Sequence, residues 1–107
     1  MSSVKVTRSS GNVFADLGFP NAEETRTKAE LTHAIAQTLE RRSLTQKAAA
    51  VVLGIDQPKV SKLLRGHFSE YSVERLMRFL TRLGYDVEIN VKRGKPRHRG
   101  HVHVVAA

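Results

Sequence analysis

A mainly helical fold with one C-terminal strand is predicted by three observations. Apolar residues recur at helical spacing in successive segments between about residues 21 and 83. Capping residues precede these segments and glycine follows most of them, as is usual at helix ends. The period then changes, because Val87, Ile89 and Val91 alternate with polar residues, which is a strand signal. The 107 residues, 40% of them hydrophobic, suffice for one compact domain with a modest core.

The first predicted helix runs from a cap at Asn21 to about Arg42. We expect Glu24 to close a capping box with Asn21. Leu31, Ile35 and Leu39 recur every four residues and give this helix one buried stripe. Residues 1–20 before it are predicted to form an irregular arm that packs onto the body through an apolar cluster of Val13, Phe14, Leu17 and Phe19.

The second and third helices are predicted on either side of a glycine. Helix two begins after a cap at Thr45 and ends near Leu53, and Asp56 caps helix three, with Pro58 in its first turn. Gly54 allows the turn a left-handed backbone conformation. Ala50 is expected at the crossing of the two helices, where a larger side chain would push them apart.

The fourth helix is predicted between Ser72, its cap, and Gly84, which ends it. Its inward face consists of Val73, Leu76, Phe79, Leu80 and Leu83.

The strand that follows needs a partner, because a lone strand leaves its backbone groups unpaired. We expect it to pair with its copy in a second subunit across a two-fold axis. The alternative partner is the weakly alternating segment Val4 to Thr7. Residues 21–92 therefore form the predicted domain, and residues 93–107 a basic flexible tail.

Positive charge is concentrated in two parts of the chain. The 18 Lys and Arg against 10 Asp and Glu give a formal charge of +8, which suggests a polyanionic partner such as nucleic acid. Residues 41–70 hold six basic and two acidic residues, and residues 91–107 hold five and none. A merely soluble basic protein is the alternative.

The composition also excludes some classes of site. The chain has no cysteine, so disulfides and thiolate chemistry are excluded. No apolar run approaches the roughly 20 residues of a membrane span, and no signal peptide is visible, so we expect a cytoplasmic protein.

The stretch from Leu44 to Gly66, LTQKAAAVVLGIDQPKVSKLLRG, has the layout of a helix-turn-helix. The small residue, the glycine, the turn, the helix cap and the apolar residues all stand at the positions that a helix-turn-helix requires. Such a pair of helices places the second one in the major groove of DNA. The charge distribution fits this interpretation, since a positive surface beside that helix would contact phosphates.

The pattern LTQ-x-x-x-A-x-x-LGI-x-Q-x-x-V-S-x-L-x-RG resembles the λ-repressor-like, XRE-type helix-turn-helix proteins. The stretch from NVFADLGFPNAEE through GYDVEINV resembles one branch of them, small regulators that include many HigA-like antitoxins. The likeness covers about three quarters of the chain. It implies a bundle of four to five helices, a homodimer and binding to operator DNA. Ala48, where family members often carry Glu, and Pro58, where they often carry a polar residue, depart from the pattern.

The resemblance assigns DNA contacts to seven residues. Gln57 opens the recognition helix and is the best base reader, because its amide can bond adenine N6 and N7 together. Lys59 and Lys62 could reach guanine or phosphate. Gln46 matches a position that grips phosphate and supports the first recognition-helix residue. The remaining expected phosphate contacts are Lys47, Ser61 and Arg65, and for each charged residue a solvated surface position is the alternative.

No enzyme signature is evident. His98, His101 and His103 could hold zinc or nickel, but no carboxylate or thiol lies near them in sequence. A basic tail touching phosphate is favoured, and His33 and His67 are expected on the surface. Glu23 and Glu24 are adjacent and point in different directions, so they form no catalytic dyad.

The leading hypothesis is a dimeric transcriptional regulator, without cofactor, that binds a palindromic operator with half-sites about 34 Å apart. The resemblance to the HigA-like branch implies that it is also the antitoxin of a toxin–antitoxin pair. The alternative is a protein-interaction module that neutralises a partner toxin, with Phe14, Leu17 and Phe19 as its docking surface and DNA binding secondary. RNA binding is disfavoured, since the chain has only four Phe and two Tyr and no evident stacking platform.

Overall fold

The structure, a computed structural model, describes residues 21–106, which contain four α-helices. They are α1 (Ala22–Arg41), α2 (Gln46–Leu53), α3 (Gln57–Leu64) and α4 (Val73–Arg82). Helix α1 packs along α4 and α2 packs against α3, while α1 also contacts α3 and α4 contacts α2. The predicted arm and the segment Val4 to Thr7 lie outside the described residues.

All four helices contribute to one apolar core. The buried stripe of α1 is confirmed, since Leu31, Ile35 and Leu39 are all buried. The inward face of α4 is confirmed too, except that Val73 is only partly buried. The largest fully enclosed side chains are those of Phe79, Ile35, Leu53, Leu63, Leu76, Leu83, Val60 and Thr38.

Two of the four predicted helix caps make the expected side-chain hydrogen bond. The Thr45 hydroxyl accepts from the Ala48 N–H at 3.0 Å, and the Ser72 hydroxyl accepts from the Arg75 N–H at 3.0 Å. Asp56 stands at the start of α3 but makes no capping bond through its side chain. The predicted capping box at Asn21 is wrong: Asn21 is left-handed, with φ 53° and ψ 46°, rather than in the extended conformation that an N-cap side chain normally needs.

Thr38 is a buried polar residue that ties α1 to the chain beyond α4. Its hydroxyl donates to the Ala34 carbonyl at 2.8 Å and shares a 2.7 Å hydrogen bond with the Tyr85 hydroxyl. Arg41 also donates to that phenol. The pKa of Tyr85 is lowered by its hydrogen bonds with Thr38 and Arg41, and the positive charge of Arg41 favours the phenolate. Tyr85 is thereby held against α1.

The predicted strand over Val87–Val91 is absent from the single chain. Residues 85–95 form neither helix nor strand, and Ile89 and Val91 are 76% and 89% exposed. A strand needs another strand to pair with. Within residues 21–106 the regular elements are helices and Ala106 forms a single β-bridge, so the described chain offers no strand that pairs with residues 87–91.

The end of the chain returns to α1, which the prediction of a flexible tail did not include. Arg26 Nη2 donates to the Val102 carbonyl at 2.7 Å. Val104 and Ala106 are partly buried and pack against the core. Residues 102–106 therefore lie along α1, whereas residues 86–101 are exposed.

A buried carboxylate lies beneath this docked segment. Glu30 is only 4% exposed, and within residues 21–106 neither of its oxygens has a hydrogen-bond partner of good geometry. Burial raises the pKa of Glu30, and the nearby charge of Arg26 and the backbone N–H of Val104 only partly oppose this effect. The ionised form of Glu30 is therefore a source of instability.

Glu30→Gln is expected to increase the free energy of unfolding at neutral pH. A raised pKa means that the folded state favours the protonated carboxyl, so this group's contribution to stability is lost as the pH rises through the folded-state value. The advantage of Gln should shrink as the pH falls towards the ordinary value of 4.5, where the wild-type carboxyl becomes protonated. Urea denaturation over a pH series measures it.

Glu24→Gln is the matched control, because Glu24 is exposed and faces Lys28 across 3.5 Å. Glu24→Gln should not increase the free energy of unfolding at neutral pH. A gain from Glu30→Gln that is equally large in acidic and neutral buffers would contradict this explanation.

Candidate nucleic-acid interface

The angle between α2 and α3 is set by a turn at Gly54. Gly54 has φ 74°, and its N–H donates to the Ala50 carbonyl at 2.8 Å. The Ile55 N–H donates to the same carbonyl at 3.2 Å, which closes the end of α2. Arg82 of α4 lies over the turn and donates to the Leu53 carbonyl at 3.4 Å.

Two alanines of α2 pack against the core. Ala50, the residue predicted at the crossing of α2 and α3, is only partly buried, and Ala49 is the alanine that is completely enclosed. The complete enclosure of Ala49 leaves no room for a larger side chain at that position.

Helix α3 is fixed by its apolar side and exposes its polar side. Val60 and Leu63 are fully buried. Gln57, Lys59 and Lys62 are exposed. The helix thus presents polar and basic groups to solvent on a rigid support.

The other predicted contact residues lie on the elements that flank this surface. Gln46 and Lys47 are exposed in the first turn of α2, directly after the cap at Thr45. Ser61 is partly buried in α3, and Arg65 is exposed just beyond its last turn. The seven predicted residues therefore lie on α2, α3 and the residue after α3.

The basic side chains of this surface have no competing partner among residues 21–106. Lys47, Lys59, Lys62 and Arg65 make no ion pair or side-chain hydrogen bond there, in contrast with Arg78, which pairs with Glu74 at 3.1 Å. Charges without an intramolecular partner can contact phosphate without first breaking an ion pair.

His67 is a candidate contact that the sequence did not single out. Together with Lys59 and Lys62 it lines a surface depression of about 230 Å³, which is completed by Ser69, Glu70 and Tyr71. The turn at the end of α3 places it there, since the His67 N–H donates back to the Lys62 carbonyl at 3.0 Å. The sequence feature that could have identified His67 is its position two residues after Arg65, a predicted phosphate contact.

Pro58 lies in the first turn of α3, as predicted, and is exposed. It has no N–H and no polar side-chain atom, so it can offer a base only apolar contact. Hydrogen-bonded base readout by this helix is left to its neighbours Gln57 and Lys59, and to Lys62 one turn further on.

The tail histidines do not assemble a metal centre in the described part of the chain. The His101 and His103 rings lie 6.0 Å apart, and His101 Nδ1 is 3.5 Å from a Glu23 carboxylate oxygen. Residues 21–106 contain no group of three or more His, Cys, Asp or Glu that could hold a metal ion. His33 and His67 lie on the surface, as expected.

None of the helices within residues 21–106 is long and apolar enough to cross a membrane.

Known proteins with the same features were found in two comparisons. A family described as a helix-turn-helix domain matches residues 13–92. A solved structure of a protein named as a candidate XRE family transcriptional regulator is 50% identical and superimposes with a TM-score of 0.73. That likeness covers 82% of this chain and 100% of the other. No curated protein matches the chain.

Gly54→Ala is expected to lower the free energy of unfolding by roughly 1–2 kcal/mol, because an L-residue is strained at positive φ. A Cβ added at Gly54 would also lie 2.5 Å from Arg82 Nη1, but that flexible side chain can move aside. The loss should therefore persist in an Arg82→Ala background when both are measured by urea denaturation.

Gly100→Ala is the control, because Gly100 has no positive φ and a Cβ added there would have no other atom within 4 Å. It should leave stability unchanged. If Arg82→Ala fully restored the stability that Gly54→Ala loses, the glycine would be required by side-chain crowding and not by backbone strain.

Proposed function

Because the chain belongs to the helix-turn-helix domain family, of the XRE type, we propose that it is a DNA-binding transcriptional regulator. Helix α3 enters the major groove and α2 lies across the backbone. The observation that supports this most directly is the exposed, polar face of α3, which the buried Val60 and Leu63 hold in a fixed orientation.

Each exposed group then has a chemical role. The Gln57 amide bonds adenine N6 and N7, and Lys59 and Lys62 donate to guanine O6 and N7 or to phosphate. Gln46 donates to phosphate from the first turn of α2 and supports Gln57. Lys47, Ser61 and Arg65 add phosphate contacts, which position the helix without reading sequence.

A selection from a random DNA pool tests the proposal, and variants of the selected complex test the roles. Gln57→Ala should relax the preference at one base step by about 1–3 kcal/mol. Lys59→Ala, if Lys59 contacts phosphate, should weaken all sequences similarly and flatten the dependence of affinity on salt.

Arg78→Ala serves as the control, since Arg78 is an exposed arginine of α4 outside the proposed surface. It should change neither preference nor salt dependence. Failure to enrich any sequence over random DNA at moderate salt would disprove the proposed function.

We further propose that the regulator acts as a homodimer on a palindromic operator. The support is the exposed segment around Val87, Ile89 and Val91, whose odd-numbered apolar side chains would share one side of an extended chain. Pairing with the same segment of a second copy, across a two-fold axis, would cover them and satisfy the backbone. The two α3 helices would then occupy half-sites about 34 Å apart.

Ile89→Asp should convert the dimer to a monomer, because it places a charge in the proposed contact. Sedimentation equilibrium measures the mass, and circular dichroism should show unchanged helix content. Val105→Asp is the matched control, since Val105 is an exposed valine outside this segment. A wild-type protein that stays monomeric at micromolar concentration would refute the dimer.

An antitoxin role would add a toxin as a protein partner. Its support is the resemblance to the HigA-like branch, and its expected docking residues Phe14, Leu17 and Phe19 lie outside the described part of the chain. DNA binding is therefore the function that the described residues favour.

A further inference from the structure

Residues 86–101 form an exposed loop that is anchored at both ends, and we call it the basic loop. Its first anchor is Tyr85, which bonds to Thr38 and Arg41 on α1. Its second anchor is Val102, whose carbonyl accepts from Arg26. Every residue between the anchors is exposed. The proposed dimer contact uses residues 87–91 at the start of this loop, and no role has been assigned to the residues after them.

The loop begins with the acidic residues Asp86 and Glu88, and the rest of it is strongly positive, with basic side chains that are unpaired. Residues 89–101 include Lys92, Arg93, Lys95, Arg97 and Arg99 and no acidic residue. Within residues 21–106 none of these five side chains makes an ion pair or a hydrogen bond. Such a concentration of unpaired charge raises the local energy unless a polyanion neutralises it.

The tip of the loop is a narrow β-turn. The His98 N–H donates to the Lys95 carbonyl at 3.3 Å, with Pro96 in the second position. Arg97 occupies the third position with φ 65°, where a type II turn usually has glycine. Arg97 thus places a guanidinium at the tip, despite a strained backbone conformation.

The loop begins close to the proposed DNA surface. Arg41, whose side chain contacts that of Tyr85, lies five residues before Gln46, so the Arg41 backbone is within about 18 Å of the start of α2, at 3.6 Å per residue. The tip is eleven residues beyond Tyr85 and six residues before Val102, so the second anchor holds it within roughly 22 Å of Val102. The inference requires that a groove adjacent to the one that α3 occupies lies within this reach.

Groove dimensions favour one destination. The minor groove is only about 6 Å wide, too narrow for a helix but accessible to side chains from a thin turn. Runs of A·T pairs narrow it further and strengthen its negative potential, which attracts arginine and lysine. A recognition helix in the major groove combined with a basic arm in the adjacent minor groove is an established way to bind DNA.

We propose that the basic loop inserts its tip into the minor groove beside the half-site read by α3 and thereby selects A·T-rich flanking sequence. This inference rests on the proposed DNA-binding function and adds a second, independent contact to it.

The experiment uses duplexes that carry the site recovered from the random pool, with flanks of A·T, G·C or inosine·C pairs. Inosine lacks the guanine N2 amino group, so it gives the minor groove an A·T-like edge and leaves the major-groove edge unchanged. Fluorescence anisotropy should show A·T and inosine·C flanks binding at least about tenfold tighter than G·C flanks, as expected for an arginine in a narrow groove.

The variant Arg93→Gln/Arg97→Asn removes two loop charges, and Asn tolerates the left-handed position. It should lose the flank preference. The matched control Lys28→Gln/Arg78→Gln removes two charges from α1 and α4 and should keep the preference. Thermal unfolding verifies that both variants are folded.

The outcomes separate the two proposals. A recovered site whose flanks have no influence overturns the loop inference alone. Equal weakening on all three flanks by the loop variant also overturns it, because the loop would then contact only phosphate. Failure to recover any site overturns both proposals.

Discussion

Enclosure of Val60 and Leu63 in the shared core is the interaction on which the rest of the surface depends. These two side chains fix the rotation of α3, and so decide that Gln57, Lys59 and Lys62 face solvent. Gly54 fixes its angle to α2 through a left-handed turn. A short helix of eight residues would be marginal alone, so its shape comes from packing and not from propensity. Recognition chemistry is therefore carried by a rigid helix whose position the apolar core determines.

Most of the helical fold could be predicted because its signals are local. The caps at Thr45 and Ser72, the turn at Gly54 and the stripe Leu31, Ile35 and Leu39 each depend on residues within about one or two turns. Asn21 shows the limit, since its side chain suits a cap but its backbone is left-handed. Its predicted bond is therefore lost for a reason that residue type alone does not reveal.

Features that depend on distant contacts could not be predicted in this way. Arg26 and Val102 are separated by 76 residues, so the docking of the chain end on α1 has no local pattern. The predicted strand around Ile89 is absent from the single chain because a strand depends on its partner as well as on its own sequence. The hydrogen bonds of Tyr85 to Thr38 and Arg41 are likewise long-range.

The candidate site also contains residues that local patterns predict and residues that depend on distant contacts. Its exposed residues on α2 and α3 follow from helical periodicity once the turn is located, and all seven predicted residues lie on those helices or directly after α3. His67 and Arg82 were missed, because one depends on the turn after α3 and the other reaches the site from α4. The sequence of the basic loop predicts only a flexible tail. The contact of Arg26 with Val102, which anchors the far end of the loop, is a tertiary contact that no local pattern reveals.

The most direct test of a DNA-reading α3 is an NMR titration of isotope-labelled protein with the selected duplex. We predict intermolecular NOEs between the Gln57 side-chain amide and a base edge in the major groove, with the largest amide shifts in α3 and the start of α2. Shifts confined to other helices, with α3 unperturbed and free of contacts to DNA, would contradict the central claim.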